Sequence, residues 1–178
     1  MLDTPDGASI PADASALRAP GRRDHRESPA ERTLLAQLEH FIAQESQRRH
    51  DGTEGWKYRS AYELVSAQGR WFTPATLPAP IRPLPERQCF TNAMAVEAQH
   101  PHLAYTEGFA LSADSALPIL HAWCTGADGK VLDPTWPESK GLAYLGIILP
   151  SNLRPLPPRH WGVLEAPGSL YPLLRNGL

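Results

Sequence analysis

Cysteine is scarce in this chain, with two among 178 residues, so no disulfide framework can hold it together. Long apolar runs are missing too. The best of them, Leu145 to Pro150, falls far short of the roughly 18 residues that a membrane-spanning helix needs. Charge of one sign is lacking: 17 Lys and Arg stand against 19 Asp and Glu, a formal balance of −2. That balance argues against a protein held on nucleic acid by bulk charge. The glycines are scattered, and Gly126 and Gly129 belong to a turn, so no phosphate-cradling loop of the Rossmann or P-loop kind is expected. Met1 to Asp6 is acidic, without a basic n-region or an apolar h-region. The expectation is a cytosolic protein with reduced thiols, no secretory signal and no membrane contact.

Proline, in contrast, is abundant, at 19 of 178 residues against an average usage of roughly 5%. So much proline excludes an all-helical bundle and implies long irregular stretches. The 42% of hydrophobic residues still suffices for one packed domain. Residues 1–28 lack an apolar period and are expected to be a disordered tail, with Arg22, Arg23 and Arg26 as a solvated charge run and a nucleic-acid contact as the alternative. The ordered domain is expected over residues 29–150, followed by a proline-rich C-terminal extension over 151–178 that wraps its surface.

Order begins at Ser28-Pro29-Ala30-Glu31, a capping box with proline at the first helical position. Leu34, Leu35, Leu38, Phe41 and Ile42 follow at helical spacing, so a helix should run to about Arg49 and stop near Asp51-Gly52. A second short helix is expected over Ser60–Gln68, with Ala61, Leu64 and Val65 inward and Gly69 as its stop. Five prolines between residues 73 and 85 forbid a helix or a central strand there. This segment reads as an extended connector, with docking of a proline-recognising module as the alternative. A third helix should start at about Cys89 and end before Pro101. Strands are expected over Leu103–Leu111, Ile119–Thr125, Lys130–Asp133 and Leu142–Leu149. The fold class read from this pattern is α+β.

Three short segments in the middle of the chain carry chemistry: Gln88-Cys89-Phe90, His121-Ala122-Trp123 and Asp133-Pro134-Thr135-Trp136. Cys, His and Asp are the side chains of a thiol nucleophile system. The thiolate attacks, the imidazole takes and returns the proton, and the carboxylate fixes the imidazole tautomer. Cys89 falls at a helix start, where free N–H groups and the helix dipole favour a thiolate and could face an oxyanion. Between His121 and Asp133, Ala127-Asp128-Gly129 reads as a three-residue hairpin loop with Gly129 in the left-handed position. That loop pairs Gly126 with Lys130 and hence Trp123 with Asp133. Asp133 then lies diagonal to His121, which shares the face of Trp123. A two-residue loop would set Asp133 opposite Cys124, on the wrong face.

These motifs resemble those of the transglutaminase-like cysteine enzymes, themselves related to papain-like folds, over residues 86–136. A similar pattern occurs in small uncharacterised bacterial and phage proteins, with Glu-Gly-Phe at Glu107 to Phe109 among its elements. The resemblance implies a core helix packed on a small antiparallel sheet. It implies Cys89 as nucleophile, His121 as base and Asp133 as orienting carboxylate, with the oxyanion assigned to the Cys89 backbone N–H. The implied activity is hydrolysis or acyl transfer on a peptide, protein or small amide, through a thioester, without a cofactor. A catalytically silent module that binds a partner protein through the same cleft and the proline-rich segments is the alternative.

Five neighbours are candidate substrate-binding residues, each with a plainer role beside it. Gln88 adjoins Cys89 but need not point into the same site. Asn92, one turn after Cys89, either caps or lines the site or is a polar surface residue. Trp123 and Trp136 either wall the cleft or pack the core. Glu107, a charge in an apolar strand, is either edge-exposed or a site residue. Cys124 alternates away from His121 and reads as a buried structural thiol. A zinc site would draw on His100, His102, His121 and Cys124, but these have no recognisable ligand spacing, and no metal is expected.

Overall fold

A computed structural model describes residues 27–47, 53–136, 140–154, 162–164 and 171–178. Residues 1–26 of the expected tail over 1–28, and the expected helix stop at Asp51-Gly52, lie outside the described residues. Helix α1 spans Pro29–Gln47 and opens on the capping box. The Ser28 N–H donates to Glu31 Oε2 at 2.7 Å and the Glu31 N–H to Ser28 Oγ at 3.2 Å, so each residue satisfies a donor of the other. Leu34 and Leu38 carry its buried face. Helix α2, Ala61–Gln68, is capped by Ser60, whose side chain accepts the Glu63 N–H. Gly69 ends it without entering the left-handed region, at φ −70°. Its role is closeness, because a Cβ there would overlap the Val65 carbonyl oxygen.

Strand β1, Arg70–Phe72, was not apparent in the sequence, since three residues before a proline-rich run carry no periodicity. Helix α3, Cys89–Gln99, follows the proline segment, and strands β2, Ala104–Ser112, β3, Ile119–Thr125, β4, Val131–Leu132, and β5, Gly141–Ile148, come next. The chain is thus mixed α and β, with α3 packed on an antiparallel sheet of order β1-β5-β2-β3-β4. The sheet curls until its two ends meet. Thr73, just after β1, accepts the Val131 N–H at 2.9 Å and donates its own N–H to Gly129 at 3.1 Å.

The curl separates two apolar clusters. One face of the sheet carries Tyr105, Phe109, Ala122, Cys124, Leu145 and Ile147 against the buried residues of α1, α2 and α3. The opposite face encloses Phe72, Ala110, Trp123, Val131 and Tyr144. The described parts of the C-terminal extension add to the first cluster through Leu164, Leu173 and Leu174. Helix α4, Pro172–Asn176, supplies the last two. Its carbonyls at Leu174 and Arg175 accept the N–H groups of Tyr58 and Lys57, so this end of the chain is docked by backbone pairing. Among the described residues, no helix is long and apolar enough to cross a membrane.

Candidate active site

The β3–β4 hairpin forms through the loop that its sequence requires. Gly129 has φ +78°, a left-handed conformation that glycine adopts without steric cost. The Gly126 N–H donates to Lys130 O at 3.1 Å, and Cys124 pairs with Leu132. The next step along the ladder sets Asp133 beside Trp123 and diagonal to His121. The reach is closed: His121 Nε2 and Asp133 Oδ2 are 2.7 Å apart, with the two residues 2% and 3% exposed.

Helix α3 brings Cys89 to the other side of the same imidazole. Cys89 lies close enough to His121 to help raise its pKa, and with Nε2 engaged by Asp133 the ring nitrogen left for the thiol is Nδ1. Cys89 is half-buried, whereas His121 and Asp133 are buried. Gln88 stands at the N-cap of α3 but makes no side-chain capping bond, so it does not occupy the N–H groups of the first turn. The residue before it, Arg87, is held at φ +64°, which costs roughly 1–2 kcal/mol for a side chain with a Cβ. This strain sits two residues from the candidate nucleophile, where the chain turns from the proline segment into the helix.

Asp133 is a fully engaged carboxylate. Oδ1 accepts the N–H groups of Thr135 and Trp136 at 2.9 and 3.0 Å. Oδ2 accepts from His121 and from the Tyr144 hydroxyl at 2.9 Å. Burial pushes its pKa up. The hydrogen bond and charge of His121, with the two N–H groups, outweigh burial and hold it below the ordinary carboxylate value. Burial alone would lower His121. The hydrogen bonds to Asp133 and Cys89, and the charges of both, instead raise it to about 9. Trp136 covers the imidazole, its ring centroid 4.0 Å away and its plane within 16°. The turn that presents its own N–H to Oδ1 sets the indole over His121.

The five substrate-binding candidates divide. Gln88 is exposed at the N-cap before Cys89, and Trp136 is half-buried over His121. Asn92, Trp123 and Glu107 are buried and face no cleft. Asn92 donates to Pro85 O at 2.7 Å and Thr135 Oγ1 at 3.0 Å, tying α3 to the loops before and after it. Trp123 fills the curl, in edge contact with Phe72 and Tyr144. Glu107 lies on the helix side of the sheet. Its Oε1 accepts the Tyr105 hydroxyl at 2.7 Å, and its Oε2 accepts the N–H groups of Val163 and Leu164. The partners that bury Glu107 come from residues 56 and 57 places away, which strand alternation cannot reveal. Cys124 is buried, with its thiol donating to Ala93 O at 3.2 Å, and burial pushes its pKa up to about 12.

Two residues at the carboxylate were not singled out from the sequence, Tyr144 and Thr135. Tyr144 did leave a signal, since a tyrosine inside an aliphatic strand needs a partner for its hydroxyl. Among the described residues, no three His, Cys, Asp or Glu side chains converge in a way that could hold a metal ion. Compared with family models, curated proteins and solved structures, the chain matches none.

Proposed function

We propose that this chain is a cysteine enzyme of the transglutaminase-like type, a hydrolase or acyltransferase acting on an amide or peptide-like acyl group. One observation carries the reading: a buried His121–Asp133 pair whose second ring nitrogen is left for a half-buried Cys89 at a helix start. Metal-free acyl transfer through a thiol needs these groups in this order.

The reaction follows from the contacts. The Cys89 proton passes to His121 Nδ1, and Asp133 stabilises the imidazolium through Nε2. The sulfur adds to the substrate carbonyl carbon, and the oxyanion faces the Cys89 backbone N–H. Collapse breaks the C–N bond, His121 gives its proton to the leaving amine, and a thioester remains. Water, deprotonated by His121, then adds to the thioester and releases the acid and the thiol. A second amine in place of water makes the same cycle an acyl transfer. Hydrolysis is the default outcome, because water needs no dedicated site.

The test is the rate of Cys89 alkylation across pH in a Cys124→Ser background, with and without His121→Ala. Rapid alkylation at neutral pH that slows at least about tenfold in His121→Ala is the expected result for a thiolate–imidazolium pair. A rate indifferent to His121, or alkylation only after unfolding, would remove the basis of the proposal.

A further inference from the structure

Tyr144 belongs to the strand β5, which is not a neighbour of β4 in the sheet order. Its hydroxyl nevertheless reaches across the curl to Asp133 Oδ2, the oxygen that also takes His121 Nε2. The ring is held from several sides. Tyr144 pairs with Phe72 on β1 and Ala110 on β2, and meets Trp123 on β3 at 5.1 Å between ring centroids. Room for the hydroxyl is also reserved. A Cβ on Gly141, three residues earlier, would overlap the Tyr144 hydroxyl and the adjoining ring atoms. The phenol is therefore neither a surface group nor incidental packing, because its one polar atom is aimed at the one shared carboxylate oxygen.

We propose that Tyr144 is a positioning residue for the Cys89–His121–Asp133 array. Its hydroxyl, hydrogen-bonded to Asp133 Oδ2, draws part of the charge of that oxygen away from the imidazolium. This inference rests on the catalytic reading above. Two donors on one oxygen compete, and each weakens the oxygen as an acceptor for the other. With the phenol present, the carboxylate stays less basic, and the proton on His121 stays transferable to a leaving amine.

The groups that act on this carboxylate, at Oδ1 or Oδ2, come from the elements packed around it. They are His121 from β3, Tyr144 from β5, the Thr135 and Trp136 N–H groups from the Asp133 turn, and Cys89 of α3 through His121. Cys124, on the opposite face of β3, feels the Asp133 charge. The facing residues of β1 and β4, Phe72 and Val131, are apolar.

The experiment follows the His121 ring titration by NMR in the full chain, beside Cys89 alkylation, for Tyr144→Phe, Gly141→Ala and His121→Ala. Tyr144→Phe keeps the ring in its cluster and removes only the donor. The expected result is an upward shift of the His121 titration by roughly one pH unit, as Oδ2 is left to His121 alone. Gly141→Ala, which displaces the hydroxyl while the phenol remains, reproduces that shift. An unchanged or downward His121 titration in Tyr144→Phe overturns the inference, an unchanged one meaning that the ring only packs. Cys89 alkylation indifferent to His121→Ala sinks the catalytic reading instead, so the two failures are distinct.

Discussion

The Val163 backbone N–H donates to Glu107 Oε2 at 2.8 Å, which fastens a segment near the C-terminus to the middle of the central strand β2. Leu164 adds a second bond to the same oxygen at 3.2 Å, and its side chain is fully buried. A wholly buried carboxyl thus holds a piece of chain that follows the sheet, beside Phe90 and one residue from Cys89. A Cβ on Gly162 would approach Glu107 Oε2 at 2.6 Å and Phe90 at 2.7 Å.

Burial raises Glu107 to about 7, against the pull of its hydrogen bonds from Tyr105, Leu164 and Val163. A folded value above the unfolded one means that the contribution is fully present below the unfolded pKa of 4.5. It is lost as pH rises through about 7. The loss amounts to roughly 3 kcal/mol. Glu107→Gln keeps the acceptor oxygen and removes the ionisation. Urea unfolding at pH 5 and pH 8 should therefore show the variant gaining on the natural chain by that amount at the higher pH. A constant difference would contradict the assignment.

His121 and Asp133 contribute to stability from opposite sides of the pH scale. His121 is raised from 6.5 to about 9, so its contribution is present below 6.5 and fades as pH climbs through about 9. Asp133 is lowered, so its contribution is present above 3.8 and fades as pH falls through its depressed value. Asp133→Asn leaves a buried imidazole without its counter-charge. It should cost about 3–5 kcal/mol near neutral pH and move the His121 titration down. A chemical-denaturation series with NMR of the His121 ring reads both.

Trp136 lies flat on His121, which lets a protonated ring act as a cation over the indole face. An imidazolium in this position quenches indole emission, and a neutral imidazole quenches it less. Tryptophan fluorescence should therefore rise as pH passes about 9, where His121 loses its proton. The rise should vanish in Trp136→Phe. Its persistence there would assign it to another tryptophan.

The hairpin loop sets which way Asp133 points. Gly129→Val forces a β-branched residue to φ +78° and should cost roughly 1–2 kcal/mol. Deleting Ala127 has a different effect, because it moves the register by one residue and turns Asp133 to the opposite face. The deletion should lower the His121 titration as Asp133→Asn does, while Gly129→Val should leave it near about 9 in the folded fraction. NMR of the ring distinguishes the two.

Much of this architecture could be read from short stretches of chain. The Ser28–Glu31 capping box, the Ser60 cap, the start of α3 at Cys89 and the limits of β3 depend on residues a few places apart. So does the hairpin register, because Gly129 alone supplies the left-handed residue that a three-residue loop needs. Alternation then put His121 and Asp133 on a common face. In each case the hydrogen bonds that decide the conformation close locally, and the local residues encode them.

The surroundings of that pair were decided only when the sheet curled. The curl brings Tyr144 to Asp133 across the strand order, seats Trp123 among Phe72 and Tyr144, and lets Thr73 join the two ends of the sheet. Packing of α3 and the return of the C-terminal segment turned Asn92 and Glu107 from candidate contacts into buried cross-links. Periodicity states which face a side chain takes. What covers that face is set by segments far along the chain, through contacts that exist only once the whole core has closed.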